Sequence, residues 1–259
     1  MGSDNKVAVV TGGMGGIGTA ICKRLRDNGA TVVAICHTSK DDQIAQWQAE
    51  NGSDIEVLTG DVASESDALR LMQEITDKHG RVDILVNCAG ITRDTTFKKM
   101  TAEQWEAVIN TNLNSVFYIT QPIWNAMVEN GFGRVINISS INGQRGQFGQ
   151  TNYSAAKAGM HGFTMALAYE GAAKGVTVNT ISPGYVETAM TLAMRDDVRE
   201  SIISGIPMRR MGSPEEIAST VAFLADDEST YITGANIPVN GGLFIPTSSS
   251  YKLGDEVFM

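Results

Sequence analysis

Short β-branched runs recur along the chain at Val7 to Val10, Thr31 to Ile35, Ile55 to Thr59, Val82 to Val86, Arg134 to Ile138, Val176 to Ile181 and Ile237 to Val239. The stretches between them carry longer patterns of helical period. Parallel strands cannot be joined by a hairpin, and right-handed crossovers place the connecting helices on both faces of the sheet. The pattern therefore predicts an α/β fold, a doubly wound parallel sheet of about seven strands flanked by helices on both faces. Such sheets bind ligands beyond the carboxyl ends of their strands, where this chain carries Gly12, Asp61, Asn87, Ser140 and Pro183-Gly184.

The segment from Thr101 to Asn130 reads as one long helix containing Asn112, kinked or interrupted at Pro122, which lacks an amide donor and crowds the preceding turn. Residues 184–213 are less regular and rich in methionine (Met190, Met194, Met208 and Met211) before Pro214 opens another helix. They form a candidate substrate lid, the alternative being a plain surface excursion. From about residue 243 the pattern fades into a tail that includes Ser248-Ser249-Ser250, either flexible or a subunit contact.

At 259 residues with 42% hydrophobic and 19% charged positions, the chain suits one domain spanning 1–259. A net charge of -9 argues against a nucleic-acid surface, which needs a basic footprint to neutralise phosphates. No long apolar run suggests membrane insertion or a secretory leader, so the expected location is cytoplasmic. Cys22, Cys36 and Cys88 form no paired motif and are expected to be reduced thiols; His37, His79 and His161 lack the spacing of a metal site.

Three stretches carry chemistry. After the first strand, Thr11-Gly12-Gly13-Met14-Gly15-Gly16-Ile17-Gly18 leads into an amphipathic helix. Glycine permits the tight turn and close backbone approach that a pyrophosphate needs, and a helix N-terminus supplies amide donors. Tyr153 and Lys157 stand four apart in Tyr153-Ser154-Ala155-Ala156-Lys157, so on a helix phenol and ammonium share a face. A neighbouring cation is expected to lower the phenol toward a useful acid/base range. Ser140 ends the fifth strand shortly before that helix, which can gather hydroxyl, phenol and ammonium around one carbonyl oxygen. A serine hydrolase is excluded because no Gly-x-Ser-x-Gly elbow surrounds Ser140 and no histidine has an evident base role.

Together with Asn87-Cys88-Ala89-Gly90, Asn112 and Pro183-Gly184 through Thr188, these motifs make the chain, from about Lys6 to Gly242, resemble the short-chain dehydrogenase/reductase family. One departure is Cys88, where the family usually has a second asparagine. The resemblance implies a Rossmann-type fold, a homotetramer and a catalytic set of Asn112, Ser140, Tyr153 and Lys157. In it Tyr153 donates the proton, Lys157 lowers its pKa and bonds the nicotinamide ribose, Ser140 polarises the carbonyl and Asn112 positions a water. It further implies cofactor contacts from Gly12, Gly13, Met14, Gly16, Ile17, Gly18, Ala89, Gly90, Tyr153, Lys157, Pro183, Gly184 and Val186. Asp61 and Val62 would border the adenine, Asn87 would support the central sheet, and Thr188 would hold the nicotinamide end.

An acidic residue at the end of the second strand would repel a 2'-phosphate. Here the order is Cys36-His37-Thr38-Ser39-Lys40, with no carboxylate before Asp41, and His37 or Lys40 can meet a phosphate, so NADPH is favoured over NADH. Gly15 stands where many NADPH-using relatives carry a basic residue.

Within the family, the run Asn142 to Tyr153, together with Ala89 to Asp94 and Ser182 to Tyr185, is similar to the branch that reduces acetoacetyl-CoA to (R)-3-hydroxybutyryl-CoA for polyhydroxybutyrate synthesis. Gln147 and Gln150 offer amides to a short polar acyl chain, Phe148 an apolar wall, and Tyr185 a surface for the thioester. Arg93, Lys98 and Lys99 can offset the charge of coenzyme A, or else form a solvated helix entry; the resemblance suggests Asp94 at the adenine end. Two alternatives stay open: a 3-oxoacyl-(acyl-carrier-protein) reductase with the same catalytic residues, and a dinucleotide-binding sensor that has lost turnover.

Overall fold

The computed structural model describes residues 5–37 and 40–245. Its elements alternate: β1 (Val7–Thr11), α1 (Gly16–Asp27), β2 (Thr31–Cys36), α2 (Asp41–Asn51), β3 (Glu56–Thr59), α3 (Glu65–His79) and β4 (Ile84–Asn87). There follow α4 (Ala102–Ile109), α5 (Ser115–Glu129), β5 (Gly133–Ile138), α6 (Asn142–Arg145), α7 (Thr151–Gly171) and β6 (Val176–Pro183). The last elements are α8 (Ala189–Leu192), α9 (Asp196–Gly205), α10 (Pro214–Ala225) and β7 (Asn236–Val239). All seven strands pair in parallel in the order β3-β2-β1-β4-β5-β6-β7, the doubly wound sheet that the periodicity predicts.

Strand side chains alternate between two apolar layers. Ala8, Val10, Val86, Ile136 and Ile181 meet Ile21 and Leu25 of α1 and Ile217, Val221 and Leu224 of α10. Val9, Leu85, Val135 and Val178 meet Leu71, Met72 and Ile75 of α3 and Ile119, Ile123 and Met127 of α5. Each such side chain removed from water contributes roughly 1.5–3 kcal/mol, so a one-residue slip of a central strand, which would exchange the two layers, is strongly disfavoured. Local signals mark the helix ends. Ser64 caps α3 by accepting from Asp67 N, and Gly80 closes it at φ 77. Ser213 and Glu216 form a capping box on α10 with Pro214 at its start.

The expected long helix over Thr101 to Asn130 is corrected in one respect. Its interruption falls at Asn110–Asn114, a π-turn in which Ser115 N–H reaches Asn110 O, while α5 runs unbroken through Pro122. A proline costs a helix one hydrogen bond, but burial of Ile119, Ile123 and Met127 on either side of it holds α5 together. At the π-turn the buried Asn112 side chain inserts into the ladder, with Nδ2 donating to Val108 O at 2.9 Å. Between β6 and α10 the chain forms α8 and α9, tied at the base by a parallel bridge between Val186 and Gly212. Of the expected tail, residues beyond 245 lie outside the described ones. No helix among the described residues is long and apolar enough to cross a membrane.

Candidate active site

The sheet order reverses direction between β1 and β4, and a cleft of about 620 Å³ opens there at the strands' carboxyl ends. Its floor is the glycine loop. Gly12 takes φ +66, and Gly15 N–H donates to Gly12 O at 2.9 Å. A Cβ on Gly18 would lie 2.1 Å from Gly12 O, so α1 can begin this close to β1 only with glycine there. A Cβ on Gly16 would stand 2.9 Å from Thr188 Cγ2, so Thr188 packs directly against the start of α1. The loop thus leaves room for backbone approach, and the first residues of α1, Gly16 to Gly18, line the cleft. That cradle fits a pyrophosphate. Thr11 Oγ1 accepts from Cys88 N at 3.0 Å and Ala89 N at 3.1 Å, fixing the end of β4 beside it.

Deeper in, Lys157 is buried, and its Nζ donates to Ile138 O at 2.8 Å while lying 5.6 Å from the centroid of the Tyr153 ring. Burial pulls its pKa down to about 8. The Tyr153 phenol is moved upward, not downward as the Tyr-Lys spacing suggested. Desolvation is the main cause; the nearby Ser140 hydroxyl opposes it, and the Cys88 and Asp94 charges add to it. Ser140 Oγ accepts from Asn142 N at 3.1 Å, which leaves its hydroxyl hydrogen for the cleft. From there a chain runs outward: Asn142 Nδ2 donates to Gln150 Oε1 at 2.9 Å, and Gln150 Nε2 donates to Asp94 Oδ2 at 2.7 Å. Asn112 uses its whole side chain on structure, with Oδ1 accepting from Ile91 N at 2.9 Å and Nδ2 donating to Ile91 O at 2.8 Å.

The cleft brings together Gly12, Met14, Gly16, Ile17, Gly18, His37, Ala89, Gly90, Asp94, Ser140, Gln150, Tyr153, Lys157, Pro183, Gly184, Tyr185, Val186 and Thr188. Other predicted positions lie behind or outside its walls. Gly13 sits under the loop with its N–H on Ile35 O, Asn87 bonds Asn137 and Thr120 inside the sheet, and Val62 is buried in the α3 layer. Asp61 stands 3.7 Å from His37 Nε2. Lys40 precedes α2, Lys99 lies on an exposed turn, and Gln147 and the 88% exposed Phe148 face outward. Sequence reasoning missed Asn142, Ile91, Thr92, Thr191 and Met194 as wall residues. Asn142 was legible in principle, two residues beyond Ser140. Thr191 was not, because its place depends on Oγ1 donating to Val186 O at 2.7 Å and receiving Thr188 N–H at 2.8 Å. Among the described residues no cluster of His, Cys, Asp or Glu could hold a metal ion.

A parallel sheet with a glycine cradle at its switch point, and a serine, tyrosine and lysine beside it, defines an oxidoreductase of the dinucleotide-dependent α/β class. The chain belongs to the short-chain dehydrogenase/reductase family. The family model that matches, described as enoyl-(acyl carrier protein) reductase, covers residues 12–244. Over 243 residues the chain is 69% identical to the acetoacetyl-CoA reductase of Allochromatium vinosum, covering 93% of this chain and 99% of that protein. It is 52% identical to the acetoacetyl-CoA reductase of Cupriavidus necator (92% and 98% covered) and 44% identical to a 3-oxoacyl-(acyl-carrier-protein) reductase of Escherichia coli (95% and 100% covered). Family membership implies a nicotinamide dinucleotide as cofactor.

Proposed function

We propose that this protein reduces acetoacetyl-CoA to (R)-3-hydroxybutyryl-CoA with NADPH, the step that feeds polyhydroxybutyrate synthesis, as a cytoplasmic homotetramer. The observation that carries the chemistry is the meeting of Ser140, Tyr153 and Lys157 in the wall of one cleft, with Lys157 Nζ 5.6 Å from the centroid of the Tyr153 ring. The substrate assignment is supported by 69% identity to one acetoacetyl-CoA reductase, against 44% to a reductase of carrier-protein thioesters.

The glycine loop from Gly12 to Gly18 would hold the dinucleotide's pyrophosphate, and Lys157, Val186 and Thr188 its nicotinamide end. When bound, the cofactor supplies hydride. Tyr153 gives the proton to the substrate oxygen, and its raised pKa keeps the phenol protonated at neutral pH, the state an acid needs. Ser140 accepts from Asn142 N–H and would donate its hydroxyl hydrogen to the same oxygen. Lys157, poised near 8, can return a proton to the phenol. Gln150 is held between Asn142 and Asp94, so it would orient the acyl chain as a fixed amide. For the nucleotide, β2 ends at Cys36 and His37 follows it with no carboxylate between, which would leave an imidazole near a 2'-phosphate.

The test is turnover of acetoacetyl-CoA and of acetoacetyl-carrier protein with NADPH and with NADH, read from nucleotide absorbance. A higher kcat/KM for the CoA thioester with NADPH is expected. Preference for the carrier-protein thioester, or for NADH, would reject the corresponding half of the assignment.

A further inference from the structure

Helix α7 turns a polar stripe toward the sheet. Tyr153, Lys157, His161 and Thr164 recur at helical spacing on one face, opposite Asn137 and Ser139 from the β5 strand and its end, and Thr180 and Ser182 from β6. Tyr153 and Lys157 belong to the site. Thr164 accepts from Asn137 Nδ2 at 2.8 Å and from Thr180 Oγ1 at 2.7 Å, knitting helix to sheet. His161 is the member that the proposed chemistry leaves without a task.

Its Nε2 lies 3.0 Å from Ser139 Oγ and 3.4 Å from Ser182 Oγ. Both hydroxyl hydrogens are committed elsewhere: Ser139 Oγ donates to Lys157 O at 2.8 Å, and Ser182 Oγ donates to Asn236 Oδ1 at 2.7 Å. Each oxygen therefore presents only lone pairs to the imidazole, so Nε2 must carry the hydrogen. Ser139 sits between Ile138, whose carbonyl receives Lys157 Nζ, and Ser140. Three bonds thus clamp the end of β5 to α7: Lys157 Nζ to Ile138 O, Ser139 Oγ to Lys157 O, and His161 Nε2 to Ser139 Oγ.

We propose that His161 is a positioning residue: acting through Ser139, it sets the spacing between the end of β5 and α7, and with it the spacing of the Ser140 and Tyr153 hydroxyls. This rests on the reductase reading of the site. The histidine touches neither substrate nor cofactor; its effect on rate comes from alignment, where small displacements of reacting groups are expensive.

The test has two arms. In the ligand-free protein, nitrogen-15 NMR of the three histidines, with the His161 signals assigned by their loss in a variant, should give the Nε2–H tautomer for His161; Nδ1–H would overturn the proposal. In the assay with acetoacetyl-CoA and NADPH, His161→Leu should lower kcat about tenfold with KM and dinucleotide Kd changed less than about twofold. His161→Gln, whose amide N–H can reach the place of Nε2–H, should restore most of the rate. Ser139→Ala should reproduce the loss, and the Ser139→Ala/His161→Leu pair should lose no more than either alone. Unchanged kcat in His161→Leu, or no advantage of glutamine over leucine, would overturn the proposal. If the leucine chain fails to fold, unchanged kcat in Ser139→Ala would overturn it. A wild type without turnover of acetoacetyl-CoA would reject the substrate assignment, and the tautomer would then decide the clamp.

Discussion

Gly90→Ala tests how tightly the site is built. A Cβ at Gly90 would stand 2.5 Å from Asn112 Oδ1 and 3.4 Å from Lys157 Nζ. Asn112 is fully buried and bonded on both sides to Ile91, accepting from its N–H at 2.9 Å and donating to its carbonyl at 2.8 Å. To reach an ordinary contact the amide must retreat by about 0.9 Å or more, enough to carry those bonds past hydrogen-bonding range. Each buried polar group left short costs about 1–3 kcal/mol, and overpacking adds a similar amount that partial relaxation reduces. A net loss of about 2–4 kcal/mol follows, which for a chain of this length lowers Tm by roughly 5–15 °C. If the Asn112 oxygen is the obstacle, Asn112→Ala removes it, and Gly90→Ala should cost about 1–3 kcal/mol less in that background. Chemical denaturation of the wild type, both single variants and the double variant, followed by circular dichroism, measures the coupling. Additive effects, or a Gly90→Ala Tm within about 1 °C of wild type, would refute the reasoning.

Three further outcomes are expected. Tyr153→Phe should cut turnover at least about 100-fold while dinucleotide titration by fluorescence stays close to wild type; retained turnover would remove the phenol from the chemistry. Lys157 has its folded pKa lowered from 10.5 to about 8, so folding favours the neutral amine. Its contribution to stability is present above the ordinary lysine range and is lost as pH falls through about 8. The stability difference between wild type and Lys157→Met should therefore shift in favour of wild type as pH rises from 8 to 10.5, and a flat difference would contradict the buried amine. The Cys88 thiol, pushed up to about 11 by burial, should react slowly with a disulfide reagent near neutral pH and faster as pH approaches that value. Rapid labelling of the native protein at neutral pH would show that the thiol is not desolvated.

Much of the fold was legible because each strand is a local β-branched run and each crossover a local helical period. The seven predicted runs correspond to the seven strands, with shifts of a residue or two at their ends. The cleft-lining residues at strand ends were legible for a related reason: topology alone gathers Gly12, Ser140 and Pro183-Gly184 at one edge. Reading failed where partners distant in sequence decide. Pro122 looked like the weak point of its helix on local grounds, yet the turn forms at Asn110–Asn114, where Asn112 exchanges two hydrogen bonds with the backbone of Ile91. Thr191 became a wall residue through its Oγ1, which donates to Val186 O and receives Thr188 N–H, contacts that no local pattern announces.

The reversal in the Tyr153–Lys157 pair comes from the same kind of distant contact. Four-residue spacing places an amine near a phenol, and on a solvated helix the charge would be expected to lower the phenol's pKa. Here the amine is aimed at Ile138 O, and burial acts on both groups at once, favouring the uncharged phenol and the uncharged amine. The ligand-free site is therefore loaded with a phenolic proton at neutral pH and has an amine that exchanges protons near 8. That ordering suits an acid that must give up its proton only as negative charge develops on a carbonyl oxygen beside it. A phenol already ionised in the resting site would have no proton to give.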